Sequence, residues 1–464
     1  MNKFVFTPNK IDELKDQYDL VVVGSGGTGL TAALQAHELD LKVAVFEKNK
    51  GLGGNTNRAS SGMNASESLV QLNEGIIDNK EDFYKETLKG GGLLNDRDML
   101  RYFVDHSAIA ISWLMEHDIE LTDLTITGGM SKKRAHRPAS MAPVGVYLVT
   151  GLLKQIQKEE IPVFNEAKVT ELLQDNGAID GVKVATSEGE KAVKAKAVLL
   201  ASGGFGASKD IIKKYRPDLA DYKTTNQEGA TGDGLKLAEK VGAQLMQMNF
   251  IQVHPTAQTD TDHTFLIGEG VRGEGAILVN KAGKRFVNEL NTRKIVSNAI
   301  TALNEDGAYL ILDQGIRDHF KAIEFYDHVG LVEHGDSLED LAKKIDVDAA
   351  GLKATVAKWN EDVEKGDDTE FGRTTGMDRG ITTGPYFAIH VHPAIHYTMG
   401  GIHINPETEV LDGNGNVIRG LFAAGEVSGG LHGNNRIGGN SIAETVIFGR
   451  QAGMQIARLV REGK

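Results

Sequence analysis

Residues 20–23 form an unbroken apolar run, Leu-Val-Val-Val, the pattern of a strand buried on both faces. From about Thr28 to Leu39 the apolar positions Leu30, Ala33, Leu34 and Ala36 give one side of a helix. Residues 42–46 return to strand character and end at Glu47. The segment therefore reads as a βαβ unit. Two later apolar runs, 197–201 and 421–424, end in Ser202-Gly203-Gly204-Phe205-Gly206 and in Gly425-Glu426. Strands ending in small residues bring glycine-rich edges to one crevice of an α/β sheet. Between them, residues 161–185 carry Val163, Val169, Leu172, Val182 and Val184 around Asn176-Gly177, which predicts a β-meander on the same sheet.

The stretch from His254 to Ile395 is more mixed. It holds a hairpin-like ILVNKAGKRFVNE, helical patterns near 294–304 and 337–364, and a polar segment, 361–384, with few apolar residues. Strand signals of the first kind resume afterwards. The expected division is one domain from residues 1–253 and 396–464, with residues 254–395 inserted as a second. There are no internal repeats.

Composition narrows the classes. The 464 residues carry 51 Lys+Arg against 64 Asp+Glu, a net charge of −13, which argues against a nucleic-acid partner. Cysteine is absent, excluding disulfides, Cys-ligated zinc, iron–sulfur clusters and c-type haem. Glycine is in excess, 55 residues where an average of about 7% would give roughly 32. Without a Gly-X-Y period, the surplus points to glycine-rich turns against a ligand. The first ten residues have no apolar core of a leader, and the uncharged run 20–37 is broken by four glycines. The expectation is a cytoplasmic protein with no membrane span.

At the first strand-to-helix turn, Gly24, Gly26 and Gly29 have G-x-G-x-x-G spacing. The first makes the tight turn, the second leaves room for a pyrophosphate, and the third lets helix and strand approach. The helix N-terminus favours the diphosphate, and Glu47 can accept from a ribose diol. Dinucleotide binding follows; this motif does not separate NAD from FAD.

Polar clusters carry the chemistry: Gln252-Val253-His254-Pro255-Thr256, Gly268-Glu269-Gly270-Val271-Arg272-Gly273, Asn288 to Arg293, His396 to Gly401, and Gly425 through Ser441. With GSGGTG, EKNKGLGGNTNRASSGMNA, ASGGFG, ATGDG, HYTMGG and GEVSGGLHGNNRIGGNSI, the chain resembles the flavoprotein subunits of the fumarate reductase and succinate dehydrogenase family over nearly its whole length. The likeness is strongest to the soluble branch with non-covalent FAD.

That resemblance implies an α/β protein, a Rossmann-like FAD-binding domain with an inserted α+β capping domain. It implies reduction of fumarate to succinate by hydride transfer from flavin N5. His396 and Arg436 would hold one carboxylate and His254 would help hold the other. Arg293 would donate the proton, with Glu269 and Arg272 relaying protons to it. From spacing alone Arg293 is a carboxylate clamp, and the Glu269–Arg272 pair reads as an ion pair on one helix face. For the cofactor the resemblance points to Gly24, Gly26, Gly29, Glu47, Asn55, Thr56 and Gly62. It points also to Val169, Asp233, Tyr397, Glu426, Ser441 and Ile442, the last two at a helix start that could stabilise a reduced, anionic flavin.

The chain departs from the family pattern at two points. Asn55 lies in the loop where membrane-bound relatives place the histidine that attaches FAD. Gly268 stands where many fumarate-reducing relatives have Ser or Thr. The rival substrates are other 2-enoates, urocanate or acrylate; a non-catalytic flavin protein and an NAD-linked dehydrogenase rank behind. Reduced flavin, NADH through a partner, and a carrier protein all stand open as electron donor. His390 and His392 share a strand face, but no Cys or nearby carboxylate pair completes a metal site, and none is expected. His136 and His432 are open between loop structure and a place near the flavin.

Overall fold

The computed structural model describes residues 4–463. Its main sheet runs in the order Glu409–Leu411, Val417–Ala423, Gly189–Leu200, Gln17–Val23, Val43–Phe46, Val163–Phe164. All but the first of these strands are parallel to their neighbours. Val21 sits between Ala44 and Val198 at the centre. Leu20 to Val23 are buried, because helix Gly27–Glu38 is apolar or small over its packed length apart from Gln35 and covers the strands. The α/β architecture and its βαβ start are those the periodicity predicts.

The meander is Lys168–Asp175, Ala178–Thr186 and Gly189–Leu200, paired antiparallel. Its two-residue turn has Asn176 at φ 48° and Gly177 at φ 81°, the left-handed pair that suits a tight hairpin.

A second hydrophobic core gathers residues from Ile267 to Val391. It is built on an antiparallel sheet ordered Phe265–Leu266, Ile251–Gln258, Tyr386–Thr398, Ala308–Asp313, Ile277–Val279. Strand Tyr386–Thr398 belongs to both cores: Phe387, Ile389 and Val391 pack in the second, Ile395 in the first. Its partner Ile251–Gln258 starts likewise, with Ile251 in the first core. These two strands put His254 and His396 at the seam.

One local expectation is corrected. The ILVNKAGKRFVNE segment is no hairpin: Ile277–Val279 pairs with Ala308–Asp313 instead. Arg285 is drawn into a buried ion cluster with Glu289 and Asp368, its Nε 2.8 Å from Glu289 Oε1, so the returning half cannot stay extended. The polar 361–384 segment closes that cluster, and Asp368 and Arg373 are buried beneath it. Asp362, Asp368 and Arg373 are buried and paired there, while most of the segment's other charges stay exposed. Among the described residues no helix is long and apolar enough to cross a membrane.

Candidate active site

The carboxyl ends of the parallel strands open onto a cleft with about 1520 Å³ of space, its mouth included. Gly24, Gly26, Glu47, Asn55, Thr56, Gly62, Val169, Asp233, Tyr397, Glu426, Ser441 and Ile442 all line it. Gly29 does not; a Cβ there would lie 2.0 Å from the Gly24 carbonyl oxygen, so it serves helix–strand packing, as the spacing implies. A Cβ at Gly26 would meet nothing nearer than Thr56 Oγ1 at 3.8 Å, leaving that space to a ligand.

The cleft fits a flavin dinucleotide. Helices Gly27–Glu38, Asp233–Lys240 and Asn440–Glu462 begin on it, and all three have glycine N-caps with no capping side chain. Elsewhere Asn79, Asp96, Asp313, Ser337 and Asp348 cap their helices with side chains, whereas the helices after His106, Pro143 and Lys321 have none. Uncapped N–H groups aimed at a cleft suit a diphosphate and an anionic ring. Glu47 is braced for a diol: one oxygen accepts from Ser25 N (3.1 Å) and Oγ (2.8 Å), the other from Asn49 N at 2.9 Å. Burial would raise Asp233, but Lys48 and Lys168, 3.0 and 3.2 Å away, outweigh it and hold the carboxyl at about 2. Burial pushes Glu426 up to about 7, against the Thr398 N–H that donates to it. Asn55 bonds to Asn226 and to Gln227 N.

At one end the cleft meets a cationic wall of Arg293, His396 and Arg436, with His254 behind it. A register shift after His254 turns Thr256 N onto His254 Nδ1 at 3.2 Å. Nδ1 therefore accepts, and the neutral ring carries its proton on Nε2, a buried donor with no partner. Burial, then the charges of Arg293, His396, Arg272 and Arg436, hold His254 well below the usual histidine range. The His396 ring lies 5.1 Å from it, edge to face, with Nδ1 2.7 Å from Thr225 Oγ1. Burial and the two arginines Arg293 and Arg436 depress His396 as well. The Arg436 guanidinium rests 4.3 Å from the Tyr397 ring centroid, and its Nε is buried without a partner. Burial brings it down to about 10.

Arg293 is the first residue of helix Arg293–Ala302. Nε donates to Glu269 Oε2 (3.2 Å) and Nη1 to Gln252 Oε1 (3.1 Å), while Nη2 makes no hydrogen bond to the described residues. Glu269 also accepts from Gly128 N. Burial opposes its ionisation, yet Arg293, Arg272 and that N–H keep its carboxyl below the usual value. Arg272 is fully buried and lowered to about 10 by desolvation. It donates to the Glu289 carbonyl and leaves Nε and Nη2 unpartnered. Among the described residues no ion pair joins Arg272 to Glu269, whose carboxylate pairs with Arg293 instead.

Several contributors carry no mark in a single sequence. Thr225 fixes His396 from a segment 171 residues away. Ser60 lines the cleft with a buried hydroxyl lacking any partner, 3.2 Å from where a Cβ on Gly268 would sit. Gln252 had a signal: strand alternation puts it on the face of His254. It bridges Arg293 and the Arg436 carbonyl, the latter at 2.6 Å. His136 and His432 do not line the cleft; His136 is buried against Ser68 Oγ and Arg134 O, and His432 bonds Glu444.

The family described as an FAD binding domain matches residues 19–442. The chain belongs to this family. Its cofactor is FAD, and it is an FAD-dependent oxidoreductase. It is 47% identical to an NADH:fumarate oxidoreductase of Klebsiella pneumoniae over 97% of this chain, and spans 48% of that protein's length. To a fumarate reductase (cytochrome) of Shewanella frigidimarina it is 41% identical over 96% of this chain and 77% of the relative. A urocanate reductase of Eggerthella lenta is 35% identical over 97% and 76%. The open conformation of a flavocytochrome c3 fumarate reductase superposes with a TM-score of 0.80 at 38% identity, covering 97% of this chain and 79% of that one.

Proposed function

We propose that the chain reduces fumarate to succinate, with residues 254–395 as a cap over an FAD domain made of residues 1–253 and 396–464. The observation that carries this is the cationic wall with two buried donors lacking protein partners, His254 Nε2 and Arg436 Nε. Buried unpaired donors are costly unless a ligand satisfies them. Arg293, Arg272 and Arg436 meet few acids there, so the wall suits a dianion.

FAD, when bound, supplies the hydride that adds to one alkene carbon. His396 and Arg436 hold one carboxylate. His254 Nε2–H and the Ser60 hydroxyl hold the other. Negative charge develops on the second carbon, and Arg293 gives it a proton from Nη2. Glu269, held ionised against Arg293 Nε, stabilises the cation until then, and with Arg272 returns the proton afterwards. An arginine loses a proton here only because the developing carbanion is strongly basic and the site excludes water. FAD is held without a covalent bond: the Asn55 amide is not a nucleophile and is already bonded to Asn226 and Gln227. The Klebsiella relative, named for NADH, favours NADH acting through a partner as the electron source over free reduced flavin or a carrier protein.

Gly268 favours a second reading, another 2-enoate such as urocanate or acrylate, because no side chain reaches out from that position. An anaerobic assay separates the two. The protein is mixed with reduced viologen, then given fumarate, urocanate or acrylate. Dye oxidation by fumarate, stopped by malonate, is expected. Oxidation by urocanate or acrylate alone overturns the dicarboxylate reading.

A further inference from the structure

The fold supplies the carboxylates that the sequence withholds from His390 and His392. Asp260, just past strand Ile251–Gln258, places Oδ2 2.9 Å from His390 Nδ1 and Oδ1 3.9 Å from His392 Nδ1. Asp306, in the turn before Ala308–Asp313, faces the other ring nitrogens. Its carbonyl oxygen is 2.6 Å from His390 Nε2, and its Oδ1 is 2.9 Å from His392 Nε2.

A neutral His390 has one proton too few for the two oxygens it faces. Both its nitrogens face oxygens that only accept, a carboxylate and a carbonyl, whereas a neutral imidazole has one N–H. Either the ring is doubly protonated or a cation sits between Nδ1 and Asp260. His392 lies 4.4 Å away, ring to ring. With its Nε2 donating to Asp306, its Nδ1 lone pair turns toward Asp260 and Thr259 Oγ1, the latter at 3.0 Å. Two imidazole lone pairs and one carboxylate thus converge, with one ligand atom from each residue within 4.8 Å of the others. Ligands on a tetrahedral ion at about 2.0–2.1 Å are roughly 3.3–3.4 Å apart, between the two Asp260 distances. Asp306 plays the outer part that metal-bound histidines usually have, an acceptor for each remaining N–H that fixes tautomer and ring orientation.

We infer that Asp260, His390 and His392 form a binding site for a divalent transition cation of the Zn²⁺ type, oriented by Asp306 and completed by water. Two imidazoles and a carboxylate suit zinc. The site clasps three chain segments across the middle of the second sheet, strand Tyr386–Thr398 and the ends of the two strands that flank it. One of them is the strand that carries His396, four residues beyond His392, so the ion is a structural pin for the seam rather than a reactant.

The test uses the full chain with its FAD, stripped of metal by chelation and titrated with zinc chloride by calorimetry. One zinc per chain is expected. The double variant His390→Gln/His392→Gln should abolish that binding with flavin content unchanged. Asp306→Asn, which keeps every ligand, should weaken it by about 10–100-fold. Should the double variant fold poorly, exposed Asp260→Asn removes one ligand from the surface and should also lose the site. Wild-type binding no tighter than these ligand variants would overturn the inference and leave His390 as an imidazolium paired with Asp260.

Discussion

Arg293 shows how much a single guanidinium can be asked to do. Its Nε and Nη1 are committed to Glu269 and Gln252, which leaves one nitrogen for substrate. Lysine has no such fork. Arg293→Ala and Arg293→Lys are both expected to retain FAD, read as flavin absorbance per protein. Both should lose about 10²–10⁴-fold in fumarate-dependent dye oxidation, the range for a missing general acid; near-normal turnover in either sinks the proton-donor role. Ser60→Ala should raise KM for fumarate while leaving that for acrylate unchanged, since only a second carboxylate reaches the hydroxyl. His136, which does not line the cleft, gives a pH prediction. Burial holds His136 at about 4, from an ordinary 6.5. Folded, it is neutral, so the stability it confers is full above pH 6.5 and is lost as pH falls toward 4, by up to about 3 kcal/mol. Urea midpoints at pH 7 and 4.5 should therefore differ more in the wild type than in His136→Gln.

At the scale of elements, the glycine motif separates into two jobs that substitution can tell apart. Gly29→Ala drives a Cβ into the Gly24 carbonyl at 2.0 Å, and the helix must leave the strand. Gly26→Ala meets only Thr56 Oγ1 at 3.8 Å, so the chain should fold and bind FAD weakly. Thermal melting by circular dichroism, alongside bound flavin, checks both: a lowered Tm for Gly29→Ala, a near-normal Tm with lost flavin for Gly26→Ala. The same elements were the legible part of the fold. Strand Gln17–Val23, helix Gly27–Glu38 and strand Val43–Phe46 follow from continuous apolar runs and turn glycines, which are local signals. The hairpin-like 277–289 segment carries the same local signals, an apolar run and a turn glycine. Its outcome depends on Asp368, a partner 83 residues from Arg285, and no local pattern reports that.

For the whole molecule, the two cores meet where strands Ile251–Gln258 and Tyr386–Thr398 cross between them. FAD binding in the first core should stabilise it by mass action, about 2.7 kcal/mol at one hundred times Kd. Removing FAD should lower hydrogen-exchange protection in 17–46 and 440–462 more than in 308–313. Equal loss everywhere would mean the cores unfold as one. The sequence by itself determined the βαβ start, the dinucleotide cleft and the polar residues available to it, because glycine spacing and apolar period are written in neighbouring positions. Only the tertiary structure decided which of those residues face one another. His254 gains its free donor from a bulge, His396 its partner from Thr225, Gly268 its neighbour from Ser60, and His390 its carboxylate from Asp260. The last three pairings each span more than a hundred residues, and burial, not sequence order, sets them.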